Sequence, residues 1–342
     1  MPRILITGAS GFIGSFLVER ALELGFEVWA GVRASSSRKW LQDGRIRFID
    51  LHLGHAAQLR QSLAAFQQAE DAWDYVVHAA GATKARSEAE FLRTNLEGTK
   101  HLADSLRELG MTPRRFVFLS SLSVLGAPRE DRAPQQDGHC YAPMTAADAP
   151  QPNTAYGRSK LAAERYLQGL PDFPLTILRP TGVYGPREKD YFLMAKSIGR
   201  HIDFAVGYRP QEITFIYVRD LVEAVFASIS NGLPGQTYLL SDGHTYSSRA
   251  FSDLLQAELG VRRVLHVRAP LWLLRTVCAA GSAWAGLTGR MTALNNDKFN
   301  ILKQRNWRCD IQPALDMGYV PRYGLAEGVR ETVAWYKQEK WI

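Results

Sequence analysis

Cysteine is scarce. The three present, Cys140, Cys278 and Cys309, are odd in number and far apart, so they build neither a disulfide framework nor a metal cluster, and a reducing cytoplasm is the expected compartment. Charge runs are missing too: the net charge of +7, from 41 Lys and Arg against 34 Asp and Glu, is spread along the chain. With no basic run and no recognition module, nucleic acid is not an expected partner; the excess suits a pocket for a polyanionic small molecule plus ordinary surface charge. Hydrophobic residues are 46% and charged ones 22%, and no segment is poor enough in apolar residues to predict disorder. The apolar residues 4–13 are interrupted by glycines at a spacing that a signal-peptide core does not need. No internal repeat appears at periods of about 20 to 50 residues. What remains is one large unit with a smaller appended region.

Ile4 to Thr7 reads as a short buried strand, then a glycine-containing turn leads into a helix whose apolar positions recur at Phe16, Leu17, Ala21 and Leu24. Strands are predicted at Glu27 to Val32, Arg45 to Ile49, Tyr75 to His78, Arg115 to Leu119 and Leu175 to Leu178, with helical stretches between them. Such alternation predicts an α/β fold with a doubly wound parallel sheet. Residues 127–153 show no period and are expected as a long loop, followed by a helix from Ala155 to Leu167. Glu212 to Val218 and Gln236 to Leu240 look like later sheet elements, and the pattern beyond Tyr246 is helical and irregular.

Between the first strand and helix stands Gly8-Ala9-Ser10-Gly11-Phe12-Ile13-Gly14. Gly8 and Gly11 let the backbone turn tightly and approach a pyrophosphate, Gly14 lets helix and strand pack closely, and the helix N-terminus offers free N–H groups. Gly8, Ser10, Gly11, Phe12, Ile13 and Gly14 are therefore candidate dinucleotide contacts in a Rossmann-type sheet. An NAD site usually ends its second strand with an acidic residue, whereas this strand ends Gly31-Val32-Arg33. Arg33, helped by Arg38 or Lys39 and the hydroxyls of Ser35 to Ser37, suits a 2′-phosphate, so NADP is the expected cofactor, with NAD as the other candidate. Asp50 and Leu51 would meet the adenine, and Ala79, Ala80 and Gly81 would allow close approach after the fourth strand. His78 is read as a satisfied histidine under the sheet rather than a catalyst.

Tyr156 and Lys160 lie four residues apart and so share one face of the helix predicted there. The ammonium can stabilise phenolate, bringing the phenol toward a working range for proton transfer. A second such pair, Tyr336 and Lys340, has no strand end or phosphate loop leading to it and reads as a terminal amphipathic helix. Ser120-Ser121-Leu122-Ser123 closes the fifth strand. Since sites in open parallel sheets lie at the carboxyl ends of strands, glycine loop, Ser121, Tyr156 and Lys160 can converge, with Ser121 holding a substrate oxygen and Tyr156 moving its proton.

These residues resemble the extended short-chain dehydrogenase/reductase family, within the NAD-dependent epimerase/dehydratase superfamily, over essentially the whole chain. The matching pieces are Thr7 to Gly14, His78 to Gly81, Asn95 with Gly98-Thr99, Ser120-Ser121 ahead of Val124-Leu125-Gly126, Tyr156 to Lys160, Leu178-Arg179-Pro180 with Tyr184-Gly185-Pro186-Arg187, and Tyr217-Val218-Arg219-Asp220. The resemblance implies a catalytic trio of Ser121, Tyr156 and Lys160, with Asn95 supporting it by holding a structural water or the surrounding helix. It also implies a cofactor contact at Pro180 and substrate contacts at Ser123, Thr181 and Tyr184. The implied division is a dinucleotide-binding domain over 1–178, rejoined by 212–242, and a substrate-binding region from 179–211 and 243–342.

Nucleotide-sugar epimerases and dehydratases of this family commonly read Arg-x-x-Asn-x-Tyr-Gly-Pro after the sixth strand, and here Gly182 stands in the asparagine's place. The Arg179-Pro180 form, the Val32-Arg33 ending and the C-terminal Leu315-x-x-Gly318-Tyr319-x-Pro321 resemble instead reductases of the dihydroflavonol and 3β-hydroxysteroid type. The expected activity is NADP-dependent interconversion of a ketone or aldehyde and its alcohol. The alternatives are an NAD-dependent nucleotide-sugar epimerase or dehydratase, and an NADP-binding redox sensor without catalysis.

Residues 270–287 are almost wholly apolar and near the length that spans a bilayer, but Arg275 and the glycines count against a spanning helix. A buried or lid helix is expected, with an apolar substrate wall or membrane-surface contact as the other readings. The expected partner is a small-molecule substrate; a homodimer is carried as an option.

Overall fold

The computed structural model describes residues 1–133, 135–288 and 295–342, without the side chains of 285–288. Six strands, β1 (Arg3–Thr7), β2 (Glu27–Val32), β3 (Arg47–Asp50), β4 (Tyr75–His78), β5 (Arg115–Leu119) and β6 (Leu175–Pro180), pair with the strand Thr237–Leu240 in one sheet. Every pairing is parallel, in the order 3-2-1-4-5-6 with Thr237–Leu240 outside β6. The order reverses between β1 and β4, which opens a crevice at their carboxyl ends. The central strands are continuous apolar runs because helices cover both faces: Ile4, Leu5, Ile6, Val76, Val77, Phe116 and Val117 are fully buried. One core layer includes Leu17, Val18 and Ala21 of the helix Phe12–Glu23 with Leu221 and Val225 of the helix Val218–Asn231. The other includes Leu59 and Leu63, Leu102 and Leu106, and Ala163 and Leu167, from three helices on the opposite face.

Three expectations change. Glu212 to Val218 is not one strand of the large sheet: Glu212–Ile213 pairs antiparallel with Tyr246–Ser247, and Phe215–Tyr217 pairs with Gly182–Tyr184. Of 212–242, only Thr237–Leu240 joins the large sheet as a strand. Second, the region beyond 178 contains a further parallel pair, Ile202–Val206 with Leu265–Ala269, which alternation did not flag. Third, the helix Leu271–Thr288 is not buried: among its described side chains only Leu274 and Cys278 are, and Trp272 is 68% exposed. The stretch 127–153 carries no strand or helix among its described residues; its ends are tied by bridges from Gly126 to Gln151 and from Met144 to Cys309.

Candidate active site

The glycine loop is shaped by what it excludes. Gly8 has φ +67°, and a Cβ there would stand 2.8 Å from the backbone of Ala80, so β1 and β4 end in direct backbone contact. A Cβ on Gly14 would lie 2.1 Å from the Gly8 carbonyl oxygen, which fixes how closely the helix Phe12–Glu23 approaches its strand. Gly11 N–H donates to Gly8 O at 2.9 Å and Gly11 caps that helix without a side-chain hydrogen bond. No acidic residue stands in its first turn, so its N-terminal N–H groups and positive dipole end suit a pyrophosphate.

Beyond the loop lies a buried polar chain. Ala80 N–H donates to Thr7 Oγ1 at 3.1 Å, Thr7 Oγ1 meets His78 Nδ1 at 2.7 Å, and His78 Nε2 meets Thr99 Oγ1 at 2.9 Å. Thr99 spends its proton on the Asn95 carbonyl at 2.6 Å, so it accepts from His78, whose ring is then the Nε2–H tautomer accepting from Thr7. Burial, and secondarily the charge of Lys160, push His78 down to about 3. The ring is thus neutral and fully partnered, a structural histidine.

Asn95 is buried in a wide helical turn, Leu92–Glu97. Its Oδ1 accepts from Ala82 N–H at 2.7 Å, and its Nδ2 donates to Ala82 O at 3.0 Å and Ser159 Oγ at 2.9 Å. Asn95 therefore ties the segment after Gly81 to the helix Ala155–Gln168. On that helix, Lys160 is buried and donates to the Leu119 carbonyl at 2.7 Å. A Cβ on Gly81 would come within 3.2 Å of its Nζ, so Gly81 also clears space for the ammonium. Burial brings Lys160 down to about 8, opposed by the nearby Glu164 carboxylate. Tyr156, half-buried beside Phe91, has its phenol raised to about 12 by burial, while a hydrogen bond from Ser121 pulls it back. Ser121 caps the short turn Leu122–Val124 and its Oγ accepts from Ser123 N–H at 3.2 Å, leaving its proton free to donate.

Four residues to which the sequence reading gave no role position this helix. Gly157 has no room for a side chain, since a Cβ would stand 2.5 Å from the Ser123 carbonyl; it lets the helix start press against the serine turn. Its direct succession to Tyr156 was the available signal. Asp297, distant in sequence, receives Ala155 N–H on both oxygens at 2.9 and 3.1 Å, placing negative charge at the helix N-terminus. Glu164 and Arg179, both buried, form a two-pronged ion pair at 3.0 and 2.6 Å that pins the helix to β6.

Arg33 and Arg38 are exposed just after β2, with the Arg38 guanidinium 4.0 Å over the Phe48 ring. Asp50 ends β3 with a buried Oδ1 that has no partner, and the buried Leu51 side chain fills the space that a Cβ on Gly31 would enter. The cradle of glycines, the open helix end, the orphaned Asp50 oxygen and the two exposed arginines fit a nicotinamide dinucleotide laid across the strand ends.

The substrate side needs correction. Ser123 stands beside Ser121, but Thr181 turns its hydroxyl to the Thr214 carbonyl at 2.9 Å, and Tyr184 is fully buried among Tyr191, Phe215, Tyr217 and Phe251. The Tyr184 hydroxyl abuts Gly328, where a Cβ would lie within 2.2 Å. Both side chains serve the core because β6 runs on through the buried Pro180, and the next strand, Gly182–Tyr184, pairs with Phe215–Tyr217 inside the C-terminal region.

Residues 4–241 match the profile of the NAD dependent epimerase/dehydratase family. A ceramide reductase from Caulobacter vibrioides is 24% identical over 344 aligned positions, which cover 99% of this chain and 96% of the relative. A 4-hydroxy-2-methyl-3-oxo-4-farnesyl-3,4-dihydroquinoline-1-oxide ketoreductase from Stigmatella aurantiaca is 27% identical, covering 86% of this chain and 89% of the relative. In fold, the chain resembles the solved UDP-glucose 4-epimerase from Thermotoga maritima, with a TM-score of 0.76 at 20% identity over 99% of both chains.

Proposed function

We propose that this chain, which belongs to the NAD dependent epimerase/dehydratase family and is a nicotinamide-dinucleotide enzyme of the extended short-chain dehydrogenase type, reduces an apolar ketone or aldehyde with NADPH. The observation that carries the reading is Tyr156 beside Ser121 at the end of β5, with Lys160 one turn further along the same helix against the Leu119 carbonyl and next to Gly81, which follows Ala80 at the glycine loop. A bound NADPH supplies hydride to the carbonyl carbon. Ser121 donates to the carbonyl oxygen and fixes its position, and the Tyr156 hydroxyl passes its proton to that oxygen, giving the alcohol. A phenol held near 12 is protonated at neutral pH, as a donor must be, and the ammonium of Lys160 on the same helix face supports the phenolate left behind. The same residues run the oxidation in reverse.

The finer choices have their own support. Arg33 and Arg38 where an NAD site would carry a carboxylate favour NADPH. At Gly182, where the epimerases of this family carry asparagine, this chain has no side chain to offer a sugar, and the Tyr191 hydroxyl stands 2.4 Å from where a Cβ would be. The names of the two relatives, one a ceramide reductase and one a ketoreductase of a farnesyl-bearing oxide, support an apolar substrate. Tyr156→Phe tests the reading: NADPH affinity should persist while turnover of a bulky apolar ketone falls by about 100-fold or more. Unchanged turnover overturns it, as does wild-type epimerisation of a UDP-hexose without added cofactor.

A further inference from the structure

In the parallel pair Ile202–Val206 and Leu265–Ala269, Leu265 stands opposite Ile202, Val267 opposite Phe204 and Ala269 opposite Val206. Paired residues of neighbouring strands point to the same side, so one face carries Ile202, Phe204, Val206, Leu265, Val267 and Ala269, all apolar. On the other face Asp203 is buried and meets His266 Nδ1 at 3.0 Å. The apolar face is left in solvent, with Phe204 64% and Leu265 65% exposed, while His266 and Arg268 are exposed on the other side. Pro270 leads directly into the helix Leu271–Thr288, which adds Leu271, Trp272, Leu273 and Val277 to the exposed apolar surface. Large exposed apolar side chains gathered in one part of the chain mark a candidate interaction site.

The sequence that follows the helix Ala250–Leu259 is strongly biased to positive charge. From 259 to 296 the sequence contains no Asp or Glu and five arginines, of which Arg262, Arg263, Arg268 and Arg275 are exposed. Arg268 extends over the ring of the exposed Tyr208, 5.8 Å from its centroid. A second copy seated on this face by twofold symmetry would bring like charges together. A surface of lipid phosphates over acyl chains complements it: aliphatic and aromatic side chains enter the boundary, Trp272 sits at headgroup level, and the arginines meet the phosphates. Among the described residues no helix is long and apolar enough to cross a membrane, so contact is with the surface.

We propose that this apolar face, with the exposed arginines of 262–275 beside it in the chain, docks the protein on the surface of an anionic phospholipid bilayer. The proposal does not rest on the reaction assigned above. It also has a physical link to the site: the helix Leu271–Thr288 packs against Asn296–Lys303, which carries Asp297, the carboxylate at the start of the Tyr156 helix.

The test is co-sedimentation of the full chain with vesicles of phosphatidylcholine alone or mixed with phosphatidylglycerol. Binding should rise with phosphatidylglycerol content and fall with salt. The double variant Phe204→Glu with Leu265→Glu should bind the mixed vesicles about tenfold or more weakly. Arg262→Glu with Arg263→Glu should remove mainly the phosphatidylglycerol-dependent part. All four side chains are exposed and lie outside the glycine loop and the Tyr156 helix, so NADPH affinity and the thermal transition of both variants should match the parent, which separates lost docking from lost folding. Equal binding to both vesicle types, no binding to the mixed ones, or parent-like binding by the variants overturns the proposal. So does a dimer in vesicle-free solution that Phe204→Glu dissociates.

Discussion

Replacing Arg33 by Ala removes a guanidinium from the end of β2 without touching the core, since Arg33 is exposed. Among the described residues neither Arg33 nor Arg38 is in an ion pair, so neither charge is already committed to a carboxylate. A charge-assisted hydrogen bond to a 2′-phosphate contributes about 1.5–3 kcal/mol. At about 1.4 kcal/mol per decade this is roughly a 10- to 150-fold loss of NADPH affinity, and the exposure of the site places it toward the lower end. NADH has no 2′-phosphate, so its affinity should stay within about twofold. Titration of nicotinamide fluorescence with both cofactors measures the ratio, and raising the salt should shrink the NADPH loss because the lost contact is screened. Equal losses for both cofactors would mean that the substitution disturbed the loop rather than a phosphate contact. No loss for either would refute NADP selection by Arg33.

Three further outcomes follow from the buried charges. Because burial holds Lys160 near 8, its ammonium is present below that pH and lost above it, whereas Tyr156 stays protonated to about 12; kcat/KM for NADPH should therefore fall on one limb above about pH 8. A profile flat to pH 10 would remove the ammonium from the mechanism. Glu164→Gln leaves the Arg179 charge buried without its partner, and Arg179 Nη1 already has none, so unfolding free energy measured with urea should drop by about 3 kcal/mol or more. The same variant should move the Lys160 limb to lower pH, since Glu164 is the charge that holds it up; an unmoved limb would show that the two do not interact.

Local signals carried far where function depends on backbone. The glycines at 8 and 14 were legible because strand ends and helix come too close there for a Cβ, and that requirement is written in residue type. Tyr156 and Lys160 were legible as an i, i+4 pair on a helix that follows the serine turn. The segment 179–217 was read less well: Thr181 and Tyr184 sit in a motif, and a motif does not say which way a strand turns its side chains. The partners that hold the Tyr156 helix, Asp297 at its start and Arg179 beneath it, come from other parts of the chain and leave no periodic trace.

The sequence by itself determined the parallel sheet, the phosphate loop and the residue types available for proton transfer, because hydrophobic period and glycine spacing act over a few residues. The tertiary structure decided which hydroxyls face solvent and which face the core. It also lowered Lys160 and raised Tyr156, because burial depends on what packs above them. Only in three dimensions did the apolar residues of Ile202–Val206 and Leu265–Ala269 become a surface, since two strands some sixty residues apart had to pair before their outward face could exist.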